Sequence, residues 1–420
     1  MFLQNRDNLI QKMEQNTAAV FFSGKKIVKS GDQFFPFEVD HNFYYLTGIN
    51  QPNSILFIKK TASGSQVFLF LDERDPQKAL WDGDLLSFSE ASKISCLKEE
   101  KIQKNTLFNS FLLETINPLR SFSTASIDAF YFDLSSSSRN LTQENNQALM
   151  FCQKLLSLYP FLKIKNSSPF LLALRQSKNL YEQTQIKKAL EINAQALTQL
   201  MTQIKPLNNE NDVASFFRYF LEKNQTKEAF DTIAASGKNA LVLHYIRNSA
   251  QLNHNEVLLF DAGVNYNHYS SDITRCYPIG GVFTPFQKQI YNLVLKANKA
   301  IISFVRPHHT LAQLNHYGKN ILAEGLKELS LWQENDRIDN YCYHGLCHHL
   351  GLDVHDVCNY SDIIGENSVI TVEPGLYFQK FNLGIRIEDD ILVTKNGAIN
   401  LSQKIPKEIT EIEALMKSFC

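Results

Sequence analysis

Two short apolar, β-prone runs in this chain each lead into a carboxylate: residues 257–260 (VLLF) into Asp261, and residues 369–372 (VITV) into Glu373. A third carboxylate, Asp272, opens another β-prone run eleven residues after Asp261. A carboxylate at the end of a buried strand needs a partner, because an uncompensated buried charge is expensive. The fold must therefore bring cations or donors to these strand ends. The turn-forming NYNH at 265–268 predicts a hairpin that sets Asp261 and Asp272 side by side. Two like charges at that range ionise together only with a cation between them. Taken singly, each aspartate also reads as a strand-end residue capping a turn.

Four of the eleven histidines fall within residues 344–355, in the string HGLCHHLGLDVHD that ends at Asp356. One histidine near apolar residues is usually a satisfied core group. Four interleaved with glycines fit a site better, since imidazole is both a metal ligand and a proton carrier near neutral pH. Residues 385–393 (IRIEDDILV) read as one strand, with Arg386 and Glu388 two apart and so on one face. A cross-strand ion pair would explain those two alone. Asp261, Asp272, His348, Glu373 and Glu388 together form an oxygen-rich, hard ligand set, suited to Mn²⁺, Mg²⁺, Fe²⁺ or Co²⁺ rather than to a thiolate zinc site. Four carboxylates exceed the needs of one divalent ion, and two bridged ions would use them all. Cys342, Cys347 and Cys358 flank the histidines, but their spacing matches no zinc-cluster pattern.

Bulk properties narrow the partners. Basic and acidic residues nearly cancel, 42 against 43, so charge gives no case for nucleic acid or an anionic membrane. No apolar run approaches the ~18 residues of a membrane span, and charges at Arg6, Asp7, Lys12 and Glu14 break any signal-like core. With seven scattered cysteines and no CxxC, a cytoplasmic, reducing location is expected.

Along the chain, residues 54–58 and 66–71 read as buried strands, and residues 134–146, rich in Ser, Asn and Gln, as a loop. Helical spacing covers 179–204 and 209–224. Thr284-Pro285 with Gln287, and Thr310 with Gln313, carry capping-box signals for two more helices. The expected organisation is an α/β domain over 1–165, a linker near Asn166-Ser167-Ser168-Pro169, and an α+β catalytic domain over 168–420.

The strings DAGVNYNHYSSDITR (261–275), HGLCHHLGLDVHD (344–356), TVEPGLY (371–377) and GIRIEDD (384–390) resemble the "pita-bread" metallopeptidases of family M24, the methionine aminopeptidase, prolidase and aminopeptidase P group. The aminopeptidase P branch matches best, and FYYLTG at 43–48 resembles its N-terminal domain. The resemblance implies a pseudo-symmetric α+β pita-bread domain behind a smaller creatinase-like α/β domain. It also implies a homo-oligomer, most simply a dimer, for which the aromatic segment from Phe34 to Tyr45 offers an apolar face. By the same resemblance Asp261 and Asp272 hold one metal, Asp272, His348 and Glu373 the other, and Glu388 bridges. The ions are expected to be two Mn²⁺ per chain. A hydroxide between them would attack the scissile carbonyl, with Glu373 accepting the proton. His244, His344 and His355 match substrate-side histidines, and Tyr377 and Arg386 match positions lining the pocket.

One position departs from the pattern: Asn42 stands where an aspartate commonly pairs with the arginine matching Arg386. Asp40 or Glu38 could supply that carboxylate, or Arg386 keeps its charge for substrate. The implied activity is release of the N-terminal residue from peptides with proline second. A prolidase, restricted to Xaa-Pro dipeptides, is the alternative. A metal-free binding module on this fold is disfavoured because all five ligand types are retained.

Overall fold

The computed structural model describes residues 1–117, 127–135, 146–204 and 207–417, so most of the loop expected at 134–146 lies outside the described residues. The chain forms two compact units, Met1–Arg175 and Gln176–Cys420.

The N-terminal unit is built on a mixed six-stranded sheet. Its order is Ile102–Lys104, Gly64–Leu71, Ile55–Thr61, Thr17–Phe22, Ala129–Phe132 and Lys163–Asn166. Thr17–Phe22 is buried at every residue, as expected of a central strand covered on both faces. Ala18, Val20 and Phe22 share one face with Phe57, Phe70, Phe130 and Phe132, packed with Phe108, Leu112 and Leu155 of two helices. The helix His41–Thr47 begins on Asp40, whose Oδ1 accepts from the Phe43 amide at 2.8 Å. It ends on Gly48 at φ +70°, where a Cβ would lie 2.2 Å from the Phe2 ring. Asp40 is therefore committed to a helix cap. Asn42 donates to Asp133 and accepts from Arg175 Nη1 at 2.8 Å. The aromatic segment divides: Phe34 and Phe35 are exposed, whereas Phe43, Tyr44 and Tyr45 are core.

The second unit repeats one arrangement. Helices Leu180–Gln203 and Glu210–Lys223 precede an antiparallel sheet of Ile233–Ser236, Val257–Ala262 and Ile273–Pro278. Helices Pro285–Phe304 and Leu311–Glu328 precede a second antiparallel sheet of Val369–Val372, Asp389–Thr394 and Gly397–Asn400. Capping boxes start all four helices, at Asn179, Asn209, Thr284 and Thr310. This is the repeated α+β layout that the motifs imply.

Residues 385–393 are not one strand. Leu383–Arg386 pairs in a hairpin with Gly375–Phe378, while Asp389–Thr394 pairs with Val369–Val372. Between them the chain leaves one sheet for the other. The Glu388 amide bonds the Thr274 carbonyl at 3.1 Å, and the Ile387 amide bonds Pro374 at 3.2 Å. Glu388 thus stands at a crossover beside the first half, and it does not share a strand face with Arg386.

Candidate metal centre

The hairpin register opposes Asp261 to Thr274, so Asp272, two residues earlier, lies on the same side of the sheet. The histidine segment runs along the outer edge of Val369–Val372. The Thr371 amide bonds the His348 carbonyl at 2.8 Å, and the Glu373 amide bonds Leu346 at 2.9 Å. This lattice sets His348 beside Glu373. Thr274 Oγ1 donates to Glu388 Oε2 at 2.8 Å and accepts from Arg386 Nε at 3.0 Å, fixing both side chains. Donor atoms of Asp272, His348 and Glu388 all lie within 4.8 Å of one another.

The donor chemistry fits divalent cations. His348 Nδ1 faces the His349 carbonyl at 3.0 Å, and a carbonyl only accepts, so the ring proton sits there. Nε2 therefore turns a lone pair toward Asp272 Oδ2 at 3.5 Å and Glu373 Oε1 at 3.6 Å. Lone pair against carboxylate is repulsive unless a positive charge intervenes. Asp261 Oδ1, buried, has no hydrogen-bond partner, while its Oδ2 takes Arg386 Nη2 at 2.6 Å. Burial, reinforced by neighbouring carboxylates, raises the carboxyl groups of Asp272 and Glu388 well above their usual range. Burial also pushes Glu373 up to about 7.

These shifts set an expected pH response of the chelated protein. A carboxyl raised in the fold stabilises it below the unfolded-state value near 4, and that contribution is lost as pH rises through the folded value. Chelated protein should lose stability between pH 5 and pH 8, by about 3 kcal/mol for a shift like that of Glu373 alone. Divalent metal should abolish the loss. Thermal melts across that range with and without chelator check it, and a flat chelated profile would contradict it.

Above the carboxylates lies a cavity of about 450 Å³, a size suited to a short peptide. Its floor carries Asp261, Asp272, His348, Glu373, Arg386 and Glu388, and His244, His344 and His355 also line it. The His348 and His355 rings are 4.4 Å apart by centroid, and the His244 and His355 rings 6.5 Å. Apolar wall comes from Phe230, Ile233, Leu243, Ile246 and Val354, none of which the sequence reading singled out. They come from loops and a strand far apart in the chain, with no local pattern to mark them.

Two placements correct the sequence reading. Tyr377 does not line the cavity. It is buried behind the histidine, donating to His344 Nε2 at 2.9 Å and accepting from Arg386 Nη1 at 3.0 Å. The direction follows from His344 Nδ1, which gives its proton to the Gly345 carbonyl at 2.7 Å. Both ring nitrogens of His344 are thus engaged within the chain, and burial with the Arg386 charge holds it neutral, near 3. Arg386, for its part, neither pairs with Glu388 nor keeps its charge free, because Asp261 takes it. Cys347 reaches the cavity, but burial holds its thiol well above the usual range.

Sequence reasoning also missed the frame beneath the ligands. Arg275, fully buried, bonds the Thr274 and Glu388 carbonyls and pairs with Asp389 at 2.8 Å. Asn298 Nδ2 bonds the carbonyls of Val372 and Ile387 at 3.0 and 3.3 Å. Arg275 stands in the SDITR string, but Asn298 sits mid-helix with no local signal.

A model of metallopeptidase family M24 matches residues 184–395, and one of the aminopeptidase P N-terminal domain matches residues 2–120. The chain belongs to metallopeptidase family M24. Among its M24 relatives, the Xaa-Pro aminopeptidase of Haemophilus influenzae is 31% identical, over 99% of this chain and 96% of the relative. That of Escherichia coli is 30% identical, over 99% and 97%. Aminopeptidase P from E. coli with the inhibitor Pro-Leu superposes with a TM-score of 0.87 at 28% identity, covering 99% and 97% of the two chains. Proline aminopeptidase P II from Yersinia pestis gives 0.86 at 28%, over 99% and 98%. The fold class implied by the resemblance, an N-terminal aminopeptidase P-type domain and a pita-bread catalytic domain, is that of this M24 branch.

Proposed function

We propose that this metal-dependent aminopeptidase removes the N-terminal residue from peptides with proline in second position, using two divalent ions, expected to be Mn²⁺. The observation that carries the reading is the His348 lone pair aimed into a buried group of carboxylates at the floor of a peptide-sized cavity. The aminopeptidase P relatives support the substrate class.

Bound divalent ions would supply Lewis acidity toward water and an amide carbonyl. Asp261, Asp272, His348, Glu373 and Glu388 would hold them. Glu373, whose Oε1 lies 3.6 Å from His348 Nε2 at the cavity floor, is placed to take a proton from the attacking water and return it to the leaving nitrogen. His244 and His355, exposed at the cavity, can donate to the substrate carbonyl and its developing oxyanion. Arg386 and Tyr377 hold His344 and Asp261 in place behind them.

An Xaa-Pro bond is a tertiary amide with no N–H, so its site must grip the ring by shape and the flanking carbonyls by donors. The apolar wall from Phe230 to Ile246 with Val354 suits the ring. If the donors address a following carbonyl, longer peptides should outperform the dipeptide by at least about tenfold in kcat/KM, or about 1.4 kcal/mol. Ala-Pro, Ala-Pro-Ala and a longer Ala-Pro peptide are compared, with Ala-Ala-Ala as control. A dipeptide cleaved best makes the enzyme a prolidase, and equal cleavage of the control removes the proline claim.

Among the described residues no helix is long and apolar enough to cross a membrane, and the six described cysteines are all free thiols. Free thiols support a reducing cytoplasmic location. A homo-oligomer is supported by the apolar surface of the N-terminal unit, where Leu80 and Trp81 are 86% and 90% exposed. Light scattering should give a species larger than the 48.1 kDa protomer.

A further inference from the structure

Residues 237–250 form the loop that carries His244. Its tip is solvent-facing, with Val242 and Ile246 both 55% exposed, while Ala240 and Asn248 on either side of the tip are buried. Asn248 anchors the loop's far end, accepting from the Ala234 amide at 2.9 Å and donating to the Thr232 carbonyl at 2.8 Å, and Tyr343 Oη donates to the Leu241 carbonyl, but one carboxylate gathers donors along its whole length. Glu210, fully buried at the first turn of Glu210–Lys223, accepts at Oε1 from the Ser236 amide (2.7 Å), Ser236 Oγ (2.9 Å) and Asn239 Nδ2 (3.0 Å). At Oε2 it accepts from Tyr245 Oη (2.8 Å) and the Ala250 amide (2.8 Å). These donors sit at the start, the middle and the end of the loop. Tyr245 Oη also receives Asn239 Nδ2 at 3.0 Å and the Ser249 amide at 3.2 Å, tying the loop across itself.

Helix capping does not account for this carboxylate. Asn209 already caps the helix, accepting from the Asp212 amide at 2.9 Å in a complete capping box. The donors to Glu210 come instead from the loop and its strand end. Tyr245 points inward to Glu210, while its neighbours Leu243, His244 and Ile246 line the cavity. The other side of the loop is pinned by close approach: a Cβ on Gly384 would lie 2.4 Å from the Ala240 carbonyl oxygen.

We infer that Glu210 is a positioning residue, whose carboxylate holds the 237–250 loop in the conformation that presents His244 to the cavity and which acts on the reaction through His244. The inference rests on the substrate-side reading of His244. It adds a residue that touches neither substrate nor metal ligands.

Glu210→Gln and Tyr245→Phe are made alone and combined with His244→Ala or with His355→Ala. Glu210→Gln keeps the side-chain shape but replaces one acceptor oxygen by a donor among donors. It should lower kcat/KM about tenfold with metal content unchanged by elemental analysis. In the His244→Ala background that loss should shrink to within about twofold, while it persists in full beside His355→Ala. Hydrogen exchange should rise in peptides spanning 237–250 and stay unchanged over 344–356. Should Glu210→Gln fail to fold, Tyr245→Phe, which removes a single donor, carries the same cycle. A loss that multiplies equally with both histidine variants, or unchanged exchange in the loop, would overturn the inference. Wild-type kinetics for His244→Ala would instead remove the reading of His244 beneath it, an outcome distinct from the other two.

Discussion

Asp272→Asn is expected to lower kcat/KM by at least about 10³-fold and to reduce the bound metal measured by elemental analysis. Asp272 is buried between the two halves of the ligand set, with His348 Nε2 at 3.5 Å and Glu388 in the same cluster. Its backbone amide is fixed by Asp390 Oδ2 at 3.1 Å, so the side chain cannot retreat from the site. An amide offers one neutral oxygen where the proposed two-ion site calls for an anion shared by both cations. His355→Ala is the contrast. His355 lies beside His348 but outside the carboxylate cluster, so turnover should fall while metal content stays near wild type. Metal lost from His355→Ala and kept by Asp272→Asn would reverse the two roles.

Lys178→Met should destabilise the protein by about 3–5 kcal/mol. The Lys178 ammonium meets Asp356 Oδ2 at 2.9 Å, with both side chains only 1% exposed. Lys178 immediately precedes the cap of the long helix Leu180–Gln203, and Asp356 closes the histidine segment through its amide bond to the His349 carbonyl at 2.8 Å. Removing the cation takes the counter-charge from a fully buried carboxylate, whereas replacing both partners by apolar groups avoids that cost. Denaturant midpoints should therefore show Lys178→Met/Asp356→Leu recovering much of what Lys178→Met loses. A single variant within about 1 kcal/mol of wild type would mean that the pair is not the clamp described.

What could be read from the sequence was local. The capping boxes at Thr284 and Thr310, the strand ends at Asp261 and Glu373, and the hairpin joining Asp261 to Asp272 each depend on residues close in the chain, where turn chemistry and periodicity act directly. The misreadings concern partners chosen across long separations. Residues 385–393 look like one strand because the run is short and rich in β-branched residues, and composition alone does not show that the chain changes sheets at Ile387 and Glu388. Arg386 pairs with Asp261, 125 residues away, rather than with its near neighbour. Glu210 and Lys178 sit in ordinary helix-start surroundings, and only the folded chain reveals what each holds.

The crossover at Glu388 has a consequence for assembly. Asp261 and Asp272 belong to the first helix-and-sheet repeat, while His348, Glu373 and Glu388 belong to the second. If these five hold the ions as proposed, neither repeat alone would own a complete set of ligands, and metal affinity would measure how well the two repeats close on each other. Free energy of ion binding would then also be free energy of closure. A polypeptide cut in the turn near Gly281, between the repeats, should have fragments that rejoin more tightly as divalent ion concentration rises. The ions would act in that experiment as a tunable rivet, with the fragment dissociation constant reporting their occupancy.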